Sequence, residues 1–305
     1  WDIISGDLTR GVPQQMQKLM GKSWSIDELA SKGSLAHITA IAESPLDENI
    51  LYSGSGDGLI YYTTDGGKIW NKATSLPGIT EFTRVHHIVA SAHNKLVAYA
   101  ACHAFTYGDY KPYLLKTTDG GKTWNKILFA NNKTGVADLI MDPTNPNKLI
   151  AAMWEHKREP WFFNSGGEGS GLHITHDGGN TWKKLSSEDG LPQGNLGRIG
   201  VAIAANKPNI VYALIESKKN ALYKSTDGGF KWNKINDGND IGNRPFYYSE
   251  IYVDPENENR VFSIYPYVNV CEDGGKCVSA FMPAYGVDNG VKTDLLAWWF
   301  HATVG

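Results

Sequence analysis

The chain has 305 residues, 41% hydrophobic and 20% charged, enough for one large or two ordinary folded domains with an ample core. A net charge of −3, with lysines and arginines scattered along the sequence, excludes the basic footprint of a nucleic-acid binder. No apolar run approaches the roughly 18 residues of a membrane span, and the start Trp1-Asp2-Ile3-Ile4 lacks a signal-peptide pattern, so any leader is expected to be removed or to lie outside this sequence.

Thirty-three glycines, 10 tryptophans and 15 tyrosines predict many short strands joined by tight turns, with aromatics packed between sheets. In chain order, "HITAIAESPLDENILYSGS" sets two alternating apolar stretches around a polar turn and leads into Thr63-Thr64-Asp65-Gly66-Gly67-Lys68-Ile69-Trp70. The same order recurs. Boxes follow at Thr117 to Trp124, at Thr175 to Trp182 and at Ser225 to Trp232, and a degenerate fifth runs from Cys271 to Cys277, where Val278 replaces the tryptophan. The aspartates Asp65, Asp119, Asp177, Asp227 and Asp273 are spaced by 54, 58, 50 and 46 residues, which is a repeat period.

Each period opens with two apolar stretches around a turn, as in "GVADLIMDPTNPNKLIAAMW", "GRIGVAIAANKPNIVYALIE" and "SEIYVDPENENRVFSIYP". A third strand precedes the Asp-Gly-Gly turn and a fourth follows the tryptophan. The unit is a four-stranded antiparallel meander of about 50 residues, the size of a propeller blade. The expected fold is an all-β propeller over 1–278, with blade units near 1–72, 73–126, 127–185, 186–235 and 236–278. The tail 279–305 is a closing strand or a cap, and Trp1–Ile4 is a second candidate to complete the last blade.

The Asp-Gly-Gly turn reads as structural. Its glycines adopt positive φ without a Cβ clash, its aspartate accepts amide hydrogen bonds, and Trp70, Trp124, Trp182 and Trp232 anchor it. A catalytic carboxylate sits in one special environment, not in five equivalent turns. Cys102 reads as a small buried hydrophobe, and the Cys271/Cys277 spacing suits a disulfide across a turn in an oxidising compartment.

These boxes resemble the Asp-box, or BNR, repeat of sialidases, other glycoside hydrolases and the VPS10 domain of sortilin. Residues 117–265 are more specifically similar to secreted bacterial VPS10/sortilin-like "glycosyl hydrolase, BNR repeat" proteins, through "TGVADLIMDPTNPNKLIAAMWEHKREPWFFNSGGEGSGLHITHDGG" and "RPFYYSEIYVDPENENRVF". The resemblance implies a propeller placed outside the cytoplasm, extracellular or in the periplasm or cell envelope.

In such a fold the first strand of each unit lines the channel, which singles out Arg84, His86, Arg198, Tyr248 and Glu250. The insertion "MWEHKREPWFFNSGGEGSG" places Trp154 and Trp161 beside Glu155 and Arg158, as a rim loop suited to stacking on sugar rings or gripping a peptide. A sialidase needs an arginine triad, and none of the six arginines has a sialidase context. Another glycosidase needs two carboxylates at a set separation, for which Asp138, Glu155 and Glu250 are available. No Cys or His spacing fits a metal site, and no cofactor motif is present. The sequence therefore favours a non-catalytic binding propeller for a glycan or a peptide or protein partner, with a glycoside hydrolase as the alternative.

Overall fold

The computed structural model describes residues 2–11, 36–80, 83–104, 109–159, 161–242, 249–264, 268–276, 279–282, 286–288 and 291–293. These residues form strands and one short 3-10 turn, Ser187–Asp189. The chain divides into two compact units, Trp1–Gly135 and Val136–Gly305. The fold is all-β, as the alternating apolar patterns predict.

The first unit holds two antiparallel blades. β1 (Ile38–Ser44), β2 (Asp47–Ser55), β3 (Ile60–Thr63) and β4 (Asn71–Lys72) pair in sequence order, as do β5 (Arg84–Ala90), β6 (Ala98–Ala104), β7 (Asp109–Thr117) and β8 (Asn125–Leu128). Tyr52, Ile60, Val85, Ile88, Leu115 and Trp124 share a buried core between the two sheets. Trp124 is completely buried, with the ring of Tyr52 edge-on at 6.3 Å.

The second unit repeats the pattern three times. β9 (Thr134–Asp142), β10 (Asn145–Glu159), β12 (Gly171–Thr175) and β13 (Lys183–Lys184) form one blade, with an extra strand β11 (Phe162–Ser165) paired to β10. β14 (Ile199–Ile203), β15 (Val211–Ile215), β16 (Ala221–Ser225) and β17 (Asn233–Asn236) form the next. The third is β18 (Glu250–Val253), β19 (Val261–Ile264), β20 (Val268–Cys271) and β21 (Ser279–Met282); a hairpin of β22 (Gly286–Asp288) and β23 (Val291–Thr293) follows. Ile150, Leu172, Ile174, Val201, Val211 and Trp232 fill one core between blades, and Tyr212, Leu222, Ile251 and Val261 fill the next. The polar turns behave as their chemistry requires: Asp142 Oδ1 accepts from Thr144 N at 2.8 Å, and Asp254 Oδ1 from Glu256 N at 2.8 Å.

All five Asp boxes close the same way. In the third, Thr175 Oγ1 donates to Asp177 Oδ1 at 2.7 Å and accepts from Gly179 N at 3.1 Å, while Asp177 Oδ1 takes Thr181 N at 2.9 Å. Hydrogen bonds from the Thr181 side chain and backbone hold the Asp177 carboxyl well below its usual range. In the second, third and fourth boxes the Trp Nε1 donates back to the second glycine's carbonyl at 2.9–3.1 Å. The first glycine's amide ties every box to the turn between the blade's first two strands or to the start of the second, on the carbonyls of Asn49, Leu96, Asn147, Asn209 and Asn259.

Asp2–Gly11 contains no strand: Ile4 O accepts from Trp70 Nε1 at 2.9 Å, and Arg10 N and Nε reach Asp57 at 2.8 and 2.7 Å. The last blade takes its fourth strand, β21, from within the tail 279–305, of which residues 294–305 lie outside the described residues. Cys271 is a free, buried thiol that stands in for the box hydroxyl, bonded to Asp273 Oδ1 at 2.8 Å and Gly275 N at 2.7 Å. Its expected disulfide partner Cys277 lies outside the described residues. Cys102 is a core residue whose thiol burial pushes up to about 12.

The second glycine of the box is the tightest point. Gly121 has φ +101°, and a Cβ there would lie 2.8 Å from Tyr62 Cβ on the preceding blade. Gly121→Ala is therefore expected to lower the unfolding free energy by on the order of 2–4 kcal/mol. Gly135→Ala, where nothing lies within 4 Å, should stay within about 0.5 kcal/mol of the parent. Urea denaturation of both variants measures the difference.

Candidate functional site

The first strands of the three blades of the second unit, β9, β14 and β18, line a cleft of about 420 Å³. Its walls are aliphatic, with Ile140, Val201, Ile203, Ile251 and Val253, and its polar groups are Asp138, Arg198, Ser249, Glu250 and Tyr252. Arg198 stands just before β14 and Glu250 begins β18; their side chains meet at 2.8 Å, Nη2 to Oε1. Both are partly exposed, so the pair adds at most about 1 kcal/mol to stability. What it does is fix the guanidinium's direction. Glu250 Oε2 also accepts from Ser249 N at 3.0 Å, so both carboxylate oxygens are engaged.

Asp138 lies on β9, where Oδ2 accepts from Val201 N at 2.9 Å and Oδ1 from Leu139 N at 2.8 Å. Burial pushes its carboxyl up to about 6; the two backbone bonds and Arg198 act in the opposite sense, and Glu250 adds to the rise.

The insertion expected as a rim loop is instead a paired two-stranded arm. β10 runs past its blade partner β12, and its second half pairs with β11 from His156↔Ser165 to Glu159↔Phe162. Alternation puts Trp154, His156, Phe163 and Ser165 on one face. His156 stacks on Trp154 at 4.1 Å and 16°, Phe163 packs edge-on at 6.4 Å, and the Arg198 guanidinium lies 5.6 Å from the Trp154 ring centre. Trp154 Nε1 donates to Ser165 Oγ at 3.0 Å. Ser165 Oγ donates to Glu216 Oε2 at 2.5 Å, and the same oxygen accepts from Arg198 N at 2.7 Å. Glu216 fits only because residue 197 is glycine: a Cβ there would lie 2.1 Å from its carboxylate.

The structure thus joins three of the sequence candidates, Trp154, Arg198 and Glu250. Trp154 is half-buried and holds Arg198. Trp161, in the turn between β10 and β11, is 79% exposed, and Phe162 beside it 43%. Glu155 faces away from this cluster: its Oε2 accepts from Gly169 N at 3.2 Å, and its carboxylate covers Gly167, where a Cβ would come within 2.3 Å. Arg158 is exposed on the arm, and Tyr248 lies outside the described residues. Glu216 and Ser165 escaped sequence reasoning. Glu216 ends the apolar run "VYALIE", and one charged residue closing a buried strand carries no functional signal.

Arg84 and His86 belong to the first unit, on β5. Arg84 stands opposite His103 on β6, and the His86 and His103 rings are 5.5 Å apart. Burial, then His86 and Arg84, push His103 down to about 4; burial, then Arg84 and His87, lower His86. Among the described residues no group of three or more Cys, His, Asp or Glu suits a metal ion, and no helix is long and apolar enough to cross a membrane.

Residues 59–190 match the Sortilin-Vps10 family model, described as sortilin, neurotensin receptor 3. Among solved structures, a GH74 xyloglucanase from Xanthomonas campestris superposes with TM-score 0.56 at 16% identity, over 82% of this chain and 38% of its own. A GH74 enzyme from Niastella koreensis gives 0.53 at 16%, over 82% and 39%, and an ancestral GH74 enzyme 0.52 at 19%, over 85% and 32%. The chain spans less than two fifths of the length of these enzymes, and the likeness is one of fold. None of the curated proteins matches the sequence.

Asp138 reports the charge balance of the cleft. Because its folded value lies above the ordinary carboxylate range, this group lowers stability as pH rises from about 4 to about 6. Glu250→Gln should move its titration down and Arg198→Met should move it up, read by carboxyl carbon NMR across that window.

Proposed function

We propose that this chain, a Vps10/BNR-like β-propeller, works as a binding module that holds a glycan or peptide ligand between its cleft and its aromatic arm, outside the cytoplasm. The observation that carries the reading is the arm. A tryptophan 79% exposed at the tip of a paired hairpin, next to a half-exposed phenylalanine, has no packing role there. At the arm's base, Trp154 reaches the Arg198 that lines the cleft, so a ligand on the arm has a fixed cation–carboxylate pair beside it. An aromatic and arginine surface held by strand pairing and stacking is partly pre-organised for binding. Within the cleft, both oxygens of Asp138 and both of Glu250 already accept protein donors, which suits positioning better than proton transfer.

One observation favours a second reading. A carboxyl that titrates near 6 beside another carboxylate is a usable general acid, as a glycoside hydrolase requires.

The test is retention of the protein on panels of glycans and peptides, with products read by mass spectrometry and affinities by calorimetry. Binding predicts that Trp161→Ala weakens affinity on the order of tenfold or more with an unchanged melting temperature. Trp154→Ala should lower affinity and melting temperature together, because it removes the support of Arg198. New reducing ends that disappear in both Asp138→Asn and Glu250→Gln would replace this reading with hydrolysis.

A further inference from the structure

We propose that Arg84, His86 and His103 form an oxyanion-binding site at the head of β5, which takes a sulfate or carboxylate group carried by an acidic ligand. The site is separate in its residues from the cleft of the second unit and does not depend on how that cleft is read.

Three observations carry it. First, the Arg84 Nε is buried with no hydrogen-bond partner, and among the described residues Arg84 makes no ion pair. A guanidinium is always charged, and a buried donor without an acceptor is costly, so such a group marks a place built for one. Second, the backbone is irregular on both sides of it. β5 pairs Arg84 with His103 and Val85 with Cys102, but the next pair is His87 with Ala101, so His86 is the extra residue of a bulge. β6 shifts register against β7 between Cys102 and Ala104, at His103 itself. Bulges re-aim side chains at functional sites, and these two bring the His86 and His103 rings to 5.5 Å beside Arg84. Third, the charged and titratable neighbours that act on the two histidines among the described residues are basic: Arg84 and His87 on His86, and His86 and Arg84 on His103.

A cation is excluded here by the permanent charge of Arg84. An oxyanion instead accepts the Arg84 N–H, and the planar fork of the guanidinium matches two oxygens of a sulfate or carboxylate. Its charge also favours the protonated imidazoles, which burial and the neighbouring basic groups disfavour. Binding therefore takes up protons, and affinity strengthens as pH falls.

The experiment uses the full chain, with imidazole carbon–proton NMR during titration with sodium sulfate and with sodium glucuronate, at about pH 5.5 and about pH 8. The His86 and His103 signals are expected to move together and saturate, with affinity at least about tenfold tighter at the lower pH. Arg84→Ala should weaken binding about tenfold or more, and Arg84→Lys should retain part of it. Well-dispersed spectra of both variants separate that loss from misfolding. Response to sulfate alone supports a sulfated or phosphorylated ligand, and response to glucuronate as well supports a carboxylate. The proposal is overturned if neither anion moves the two histidines, or if Arg84→Ala responds as the parent does.

Discussion

The hydrogen-bonded knot of the Asp box carries the architecture, because each box satisfies three separate demands at once. Its hydroxyl and aspartate consume the amides of a turn with two successive glycines at positive φ. Its first glycine amide pins the outer turn to the loop between the blade's inner strands. Its second glycine lets the turn press on another element without a Cβ between them. Gly121 lies against Tyr62, Gly229 against Ile150, and Gly275 against Ile235 and Leu222, each on the preceding blade. A turn that is internally satisfied and externally docked repeats without modification, and the chemistry tolerates Thr, Ser or the Cys271 thiol as the first member.

Functional candidates appear where this repetition breaks. The third blade is regular through β12, yet β10 overruns it by several residues and recruits β11, which turns an inner strand into an aromatic arm. The second blade breaks register at His86 on β5 and again at His103 on β6, where the two rings meet. Some polar groups buried in the blades hold them together: Lys148 bridges Asp142 at 3.1 Å and Pro208 O at 3.2 Å, an ion pair whose loss of one partner costs about 3–5 kcal/mol.

The two sites differ in their electrostatics. Around the cleft one arginine meets Glu250 directly and Glu216 through its backbone amide, and Asp138 keeps its proton to higher pH than an ordinary carboxyl. The Arg198–Glu250 pair is itself balanced, which favours orientation over charge attraction. Around Arg84 the described neighbours that act on His86 and His103 are basic, and burial together with them lowers both imidazoles. A balanced site selects by shape and stacking, and an unbalanced one selects by sign of charge.

The repeat period, the four-stranded meander and the structural character of Asp65, Asp119, Asp177, Asp227 and Asp273 were all legible in the sequence, because each depends on contacts within a few residues of the box. Turn hydrogen bonds and glycine φ values are local, and the spacing of the boxes counts strands directly. Arg198, Glu250 and Trp154 were recognisable as candidates from residue type and strand position alone. Their meeting was not, since Arg198 touches Trp154 and Glu250 across 44 and 52 residues of chain. The same holds for Glu216, which gains its place from a missing Cβ at Gly197, for the arm, whose pairing depends on β10 extending beyond its blade, and for Ile4, whose carbonyl receives Trp70. Local chemistry writes the blade into the sequence, but long-range register decides which side chains meet: a one-residue bulge at His86 changes what a strand presents without changing its composition.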